Sequence, residues 1–200
     1  MTDTRPVVTD AVFDVSGGPL PADYPSALWE ALLHHVPAFG TDISVGVLPL
    51  RTAFSEAGML LPKRAKLVLR LPAPLADHID ALSGKQLGIG ANALQLGNGK
   101  LRPIQAYPTL HAHLVSSAED EVRFIREVTE ALTKMEIVAK LICGMRNTLQ
   151  TPGRMIGGYS LVIHDLKPEA SLRLQYNGLG ADRNLGCGIF VPHKAITDLD

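Results

Sequence analysis

An α+β fold made of two consecutive β-α-β-β-α-β units, that is, tandem ferredoxin-like domains, is what this 200-residue sequence predicts. Three observations lead there. Short alternating runs of apolar and polar residues recur along the chain, an amphipathic stretch of helical period stands in each half, and the second half repeats the element order of the first. The repeat lies in the order of elements, with no clear self-similarity of sequence.

In the first half, VVTDAVFDVS alternates as a half-buried strand does, and SGGPLPADY then breaks it. In SALWEALLHHV, Leu28, Ala31, Leu32 and His35 fall at i, i+3, i+4 and i+7, so one stripe of a helix faces a core. Pro25 suits the first turn and Pro37 ends the helix. TDISVGVLPLR and AKLVLRLP read as strands joined by a Gly/Pro-bearing loop. PLADHIDAL reads as a short helix, and KQLGIG with ALQLG as a hairpin turning at Gly90 to Asn92.

In the second half, PTLHAHLVSS is expected to be a strand and SAEDEVRFIREVTEALTKM a helix. Ser117 is expected as its N-cap, with acidic residues in the first turn and Lys134 in the last, as the helix dipole favours. EIVAKLICG and GGYSLVIHDL follow as strands, PEASLRLQYNG as a short helix and CGIFVP as the last strand. The expected domains are 1–102 and 103–200, joined near Lys100 to Tyr107.

Composition bounds the function. Hydrophobic residues make up 46% and charged residues 20% of the chain, as in an ordinary globular protein, and no apolar window is long enough for a membrane span. A cytoplasmic protein is expected. The two cysteines, Cys143 and Cys187, have no metal-ligand spacing and are expected as free buried thiols; neither a metal nor a cofactor is expected. The formal net charge is -1, so any polyanion partner needs a local basic patch. One is on offer. Residues 1–50 carry a net charge of -5 and residues 51–104 a net charge of +5, the latter including Arg51, Lys63, Arg64, Lys66 and Arg70. That stretch is a candidate phosphate-facing surface, or equally a solvated face balancing the acidic first quarter.

Four glycines mark the carboxyl end. Gly178-Leu-Gly180 and Gly186-Cys-Gly188 flank Ala-Asp-Arg-Asn-Leu, ahead of an apolar strand. A dinucleotide fingerprint would need a third glycine where Arg183 stands and a helix where the strand follows, and no Gly-Lys-Ser/Thr completes a phosphate loop of the Walker type. Two readings stay open: a glycine-rich connection between elements, or bare backbone N–H groups and the Arg183 guanidinium meeting a phosphate.

The Gly-x-Gly, five residues, Gly-x-Gly pattern resembles the signature of the RAMP superfamily. The resemblance extends over the chain. FDVSGGPLPADYPSALWEAL, LVLRLP, LSGKQLGIG, TLHAHLV, ICGMR and SLRLQYNGLGADRNLGCGIFVPHK are similar, in that order, to a short subfamily of the CRISPR repeat-processing endoribonucleases (Cas family six), from Phe13 to Lys194. The resemblance implies paired ferredoxin-like folds and metal-independent cleavage of precursor CRISPR RNA within its repeat, leaving a 2′,3′-cyclic phosphate. It also implies a repeat RNA hairpin as partner and retention in a Cascade-like effector complex, with no membrane involved.

Such cleavage needs an acid, a base and cations near the phosphorane, and histidine titrates close to working pH. The resemblance points to the end of the first helix, where His34 and His35 stand. His35 continues the apolar stripe, whereas His34 follows Glu30 by one turn. Where the subfamily pattern often holds a histidine after the Pro-x-x step, this chain has Gly40, which opens a second reading as a non-catalytic RAMP subunit that binds guide RNA. Tyr24, before the helix, is a candidate for orienting the 2′-hydroxyl or phosphate, or a surface packing residue.

His111 and His113 alternate on a strand and share a face, with His113 a candidate RNA contact. Further candidates are Arg146, Arg183, His193, Lys194 and the four loop glycines Gly178, Gly180, Gly186 and Gly188. Aromatic residues are only 5% of the chain, so a stacking platform for long single strands is not expected and a shaped hairpin is the better ligand.

Overall fold

Strand β1 (Val8–Gly17) organises the first sheet: Ala11, Phe13 and Val15 point into one apolar core, and Asp10, Val12 and Asp14 alternate to the opposite face. The computed structural model describes residues 8–194. After β1 come helix α1 (Tyr24–His35), a 3₁₀ turn over Pro37–Thr41, and β2 (Gly46–Val47). A small hairpin of β3 (Ala53–Ser55) and β4 (Gly58–Leu60) precedes β5 (Lys66–Pro72). Helix α2 (Ala73–Ala76) continues into a 3₁₀ turn, and the hairpin β6 (Gln86–Ile89) and β7 (Asn92–Leu96) leads to β8 (Lys100–Pro103). The sheet runs β2-β5-β1-β7-β6, with β8 also paired to β1.

The second sheet has its own set: β9 (Leu110–Ser116), α3 (Glu121–Lys134), β10 (Lys140–Thr151), β11 (Arg154–His164), α4 (Pro168–Asn177) and β12 (Val191–Pro192). Its order is β10-β11-β9-β12. In the second sheet the second strand of the unit is at an edge, followed by the third, first and fourth; in the first, β2, β5 and β1 stand in the corresponding order and the β6–β7 hairpin, joined through β7, takes the fourth place. That is the order of a β-α-β-β-α-β unit, so the tandem ferredoxin-like expectation stands. The chain divides into two compact units. One takes the chain through Pro103 with 150–153 and 184–186; the other takes 104–149, 154–183 and the chain from Cys187.

Each unit has a separate core. Phe13, Leu28, Leu32, Leu67 and Leu69 are buried in the first, and Leu110, Phe124, Leu161, Leu174 and Phe190 in the second. Burying each such side chain stabilises the fold by about 1.5–3 kcal/mol relative to exposure. No helix among the described residues is long and apolar enough to cross a membrane.

Several local expectations change. Only Gly46–Val47 of TDISVGVLPLR forms a strand, because Asp42 folds the chain into a turn by accepting from Ser44 N and Oγ at 2.8 and 2.6 Å, and Pro49 offers no N–H. The loop before β5 holds the β3–β4 hairpin. Asp120, not Ser117, caps α3: its Oδ1 accepts from Arg123 N at 3.0 Å, while Ser117 Oγ accepts from Glu119 N at 3.2 Å before the helix begins. The strand expected at CGIFVP shrinks to Val191–Pro192, since Gly188 has φ +66° and cannot continue a ladder.

Candidate functional site

The amphipathic stripe of α1 buries Leu28 and Leu32, and this rotation leaves His34 exposed and His35 half-buried in the last turn. Their rings meet edge-on, centroids 5.4 Å apart with planes at 78°. Val36 N closes the helix on Leu32 O at 2.8 Å, and the 3₁₀ turn that follows carries Gly40 at the surface. Two imidazoles therefore stand together at one helix end. Tyr24, at the other end, is 8% exposed, and its hydroxyl oxygen accepts from Leu50 N at 3.0 Å. Burial pushes its phenol above the usual range. Tyr24 is thus a core residue bracing the chain after β2, not a surface residue facing a phosphate.

The basic stretch splits by strand register. Arg51, Lys63 and Arg64 are exposed, and Lys66 is on the surface paired with Asp14. Arg70 is different. It lies opposite Asp10 across β1 and β5, is 1% exposed, and bonds the carboxylate through Nε at 2.8 Å and Nη2 at 3.1 Å. A buried carboxylate holds it, so Arg70 is a structural cation and not a phosphate contact. Arg102 reaches the same carboxylate from β8 at 3.7 Å.

In the second sheet, Leu110 and Ala112 face the core, which leaves half-buried His111 and exposed His113 on the opposite face. Val191 pairs with His111, and His193 N donates to Thr109 O at 3.0 Å. That brings the His193 ring to 5.5 Å from the His111 ring. Burial, and then the charges of His193 and His113, hold the His111 imidazole below its usual value. Lys194 is exposed beside them.

The glycine segment forms a connection between α4 and β12. Gly178 N donates to Leu174 O, Leu179 N to Gly188 O, Cys187 N to Asp182 O and Gly188 N to Leu114 O, at 2.7–3.1 Å. These amides are taken up inside the protein. A Cβ at Gly178, where φ is +63°, would collide with the Arg183 guanidinium and the Gly188 carbonyl, and one at Gly188 with the Leu179 backbone. Arg183 is 6% exposed and folded beneath the loop. The bareness of Gly178 and Gly188 serves the loop's own packing, and Arg183 is buried against Gly178, which corrects the expectation of a phosphate cradle there. Gly186 is buried as well; Gly180 is at the surface. Cys187 is buried, with its thiol pushed up to about 12, whereas Cys143 is only half-buried.

Residues 9–195 match the family model described as Cas6 Crispr. The chain is also 34% identical over 188 residues to a CRISPR-associated endonuclease Cas6 of Myxococcus xanthus (strain DK1622), covering 93% of this chain and 82% of that protein. The chain belongs to the Cas6 family. Among solved structures, a Cas6-related protein from Pyrococcus furiosus superposes with a TM-score of 0.68 at 12% identity, covering 94% of this chain and 99% of the other. Cse3 of Thermus thermophilus, bound to an RNA representing a pre-cleavage complex, gives a TM-score of 0.55 at 12% identity, over 92% and 98% of the two chains. At that identity these two likenesses speak for the fold.

Within this Cas6-family fold the hairpin of β10 and β11 adds a residue that the sequence reading missed. Arg146 on β10 and Arg154 at the start of β11 line one open cleft of about 480 Å³ together with Ser116, Ser117, Met155 and Gly157. Arg154 pairs with Asp182 of the glycine loop. The turn signal Thr-Pro-Gly before Arg154 was the available clue, because it folds the two strands back on each other. Among the described residues no group of three or more His, Cys, Asp or Glu is placed to hold a metal ion.

Proposed function

We propose that this Cas6-family chain is an endoribonuclease that cleaves precursor CRISPR RNA within its repeat without a metal ion. One imidazole of the His34–His35 pair takes the proton of a ribose 2′-hydroxyl as that oxygen attacks the adjacent phosphorus. The bond to the 5′-oxygen breaks, and the other imidazole gives that oxygen a proton. The products are a 2′,3′-cyclic phosphate and a 5′-hydroxyl. The observation that carries this reading is the pair of neighbouring imidazoles, one exposed and one half-buried, at the end of α1.

Arg51, Lys63, Arg64 and Lys66 in the first half supply phosphate contacts, as do Arg146, His113, His193, Lys194 and Gly180 in the second. Labour is divided accordingly, with cleavage in residues 1–102 and much of the grip on RNA in 103–200. The protein works in the cytoplasm and keeps the cleaved repeat hairpin as a subunit of a Cascade-like complex.

Incubating the protein with labelled repeat RNA in EDTA tests this. The expected result is a single cut with a cyclic phosphate end, abolished in the His34→Ala/His35→Ala variant. A cut that requires a metal ion sinks the mechanism, and a double variant as fast as the parent sinks the site. A second reading, a guide-RNA-binding subunit without catalysis, is favoured by Gly40 at the position of the family histidine. Tight RNA binding with no cut under any condition would select it.

A further inference from the structure

Four of the chain's seven histidines share one face of the second sheet. Leu110 and Ala112 on β9 and Leu161 and Ile163 on β11 point into the core, so His111, His113 and His164 alternate to the opposite face. Strand β12 adds the fourth. Val191 lies opposite His111, and His193, two residues on, returns to the same side.

Of these four, His111 and His193 come together, with ring centroids 5.5 Å apart and planes at 53°. Both are held. Val191 on one side and Val162 on the other stand opposite His111 in the two ladders, and its ring is half-buried between them. His193 N donates to Thr109 O at 3.0 Å, and its ring Nδ1 lies 3.0 Å from Lys194 O. A carbonyl oxygen only accepts, so Nδ1 carries the proton and Nε2 keeps its lone pair. An imidazole that ligates a metal is oriented in this way, its second nitrogen donating to a carbonyl or carboxylate.

A metal ion sits about 2.0–2.1 Å from each ligating imidazole nitrogen, which sets the centroids of two rings on one ion on the order of 5 Å apart. His111 and His193 are close to that spacing already. The pair at the end of α1 has a different geometry: His34 and His35 meet edge-on at 78°, so the edge of one ring is aimed at the face of the other and not at a shared point.

We propose that His111 and His193 form a two-histidine site for a divalent transition-metal ion of the Zn²⁺, Ni²⁺ or Cu²⁺ kind, with water in the remaining positions. Nitrogen donors select these ions over Mg²⁺ and Ca²⁺, which take oxygen ligands. The ion fastens the last strand to β9, where the ladder consists of Val191 and Pro192 alone. It takes no part in the cleavage proposed for His34 and His35.

The test is metal binding by the full chain after stripping with EDTA and removal of the chelator. Calorimetric titration with Zn²⁺ or Ni²⁺ should show one site per chain, and about 100 µM Zn²⁺ should raise the melting temperature by several degrees where Mg²⁺ does not. His111→Gln and His193→Gln should each weaken binding roughly tenfold or more and remove the melting shift. The His34→Ala/His35→Ala variant should keep both. With Cu²⁺, the electron paramagnetic resonance spectrum should show two imidazole nitrogens in the parent and one in either glutamine variant.

A parent that binds none of the three ions overturns the proposal, as does parental binding by both glutamine variants or an equal melting shift with Mg²⁺. Loss of the site in the His34→Ala/His35→Ala variant overturns it too, by moving the ion to α1. If half-buried His111→Gln lowers the melting temperature without metal, His193→Gln at its exposed position carries the test together with the spectrum. None of these readouts uses RNA, so the site and the proposed cleavage fail independently.

Discussion

Arg70 and Asp10 face each other across β5 and β1 and share two parallel hydrogen bonds, at 2.8 and 3.1 Å, with side chains 2% and 6% exposed. The geometry satisfies both charges at once. It also fixes the register of the two strands, since a shift by one residue would put each charge on the wrong face.

Removing one partner strands the other charge in a buried place. Asp10→Asn or Arg70→Ala should therefore cost about 3–5 kcal/mol, read as a lower urea midpoint with the slope unchanged. Replacing both with apolar residues of similar size should recover much of that loss. If Arg70→Ala weakens RNA binding at full stability, Arg70 is a contact after all.

Tyr24 separates packing from chemistry. Tyr24→Phe leaves the buried Leu50 N–H without its acceptor, for an expected loss of about 1–3 kcal/mol. Well below its melting temperature the variant should still cleave repeat RNA at close to the parental rate. A loss of cleavage at unchanged stability would return Tyr24 to the catalytic set.

Two glycines at similar φ differ in what an added side chain would meet. Gly153, in the turn between β10 and β11, has φ +78° and open space around a would-be Cβ, whereas Gly178 at +63° faces Arg183 and Gly188. Gly153→Ala should cost about 1–2 kcal/mol, the penalty for an L-residue in that region. Gly178→Ala should cost clearly more, because its ψ of -167° lies in a region open essentially to glycine alone and the loop has to open as well. Equal shifts in thermal unfolding would mean that the loop yields without resistance.

His111 gives the second sheet a pH dependence of known sign. Its folded-state value is lowered by burial and by His193 and His113, so the folded chain resists a proton that the unfolded chain takes up near pH 6.5. The neutral ring contributes fully above that pH. The contribution falls as the pH drops from there through the lower folded value. Urea titrations between about pH 7 and about pH 5 should show this decline, with a shallower one in His111→Gln. An identical decline in the variant would assign the effect to other groups.

The order of elements was legible because it is written in local periodicity. The stripe Leu28, Ala31, Leu32, His35 selects the rotation of α1, and that rotation alone leaves His34 exposed. Alternation on β9 likewise put His111 and His113 on one face. The glycines at 178 and 188 announced a positive φ for the same local reason. What they could not announce was the neighbour: the loop closes on its own amides and on Arg183.

By itself, then, the sequence determined two β-α-β-β-α-β units, the helix end with its paired histidines and a glycine loop before the last strand. Each depends on residues within a turn or two of one another. Only the tertiary structure decided which cations meet solvent. Arg70 is neutralised by a carboxylate 60 positions away, Arg183 is enclosed by its loop, and Arg146 is set on the ring of Tyr159 with one edge open. A charge's fate depends on the strand that pairs beside it, and strand register joins residues too distant for any local pattern to connect.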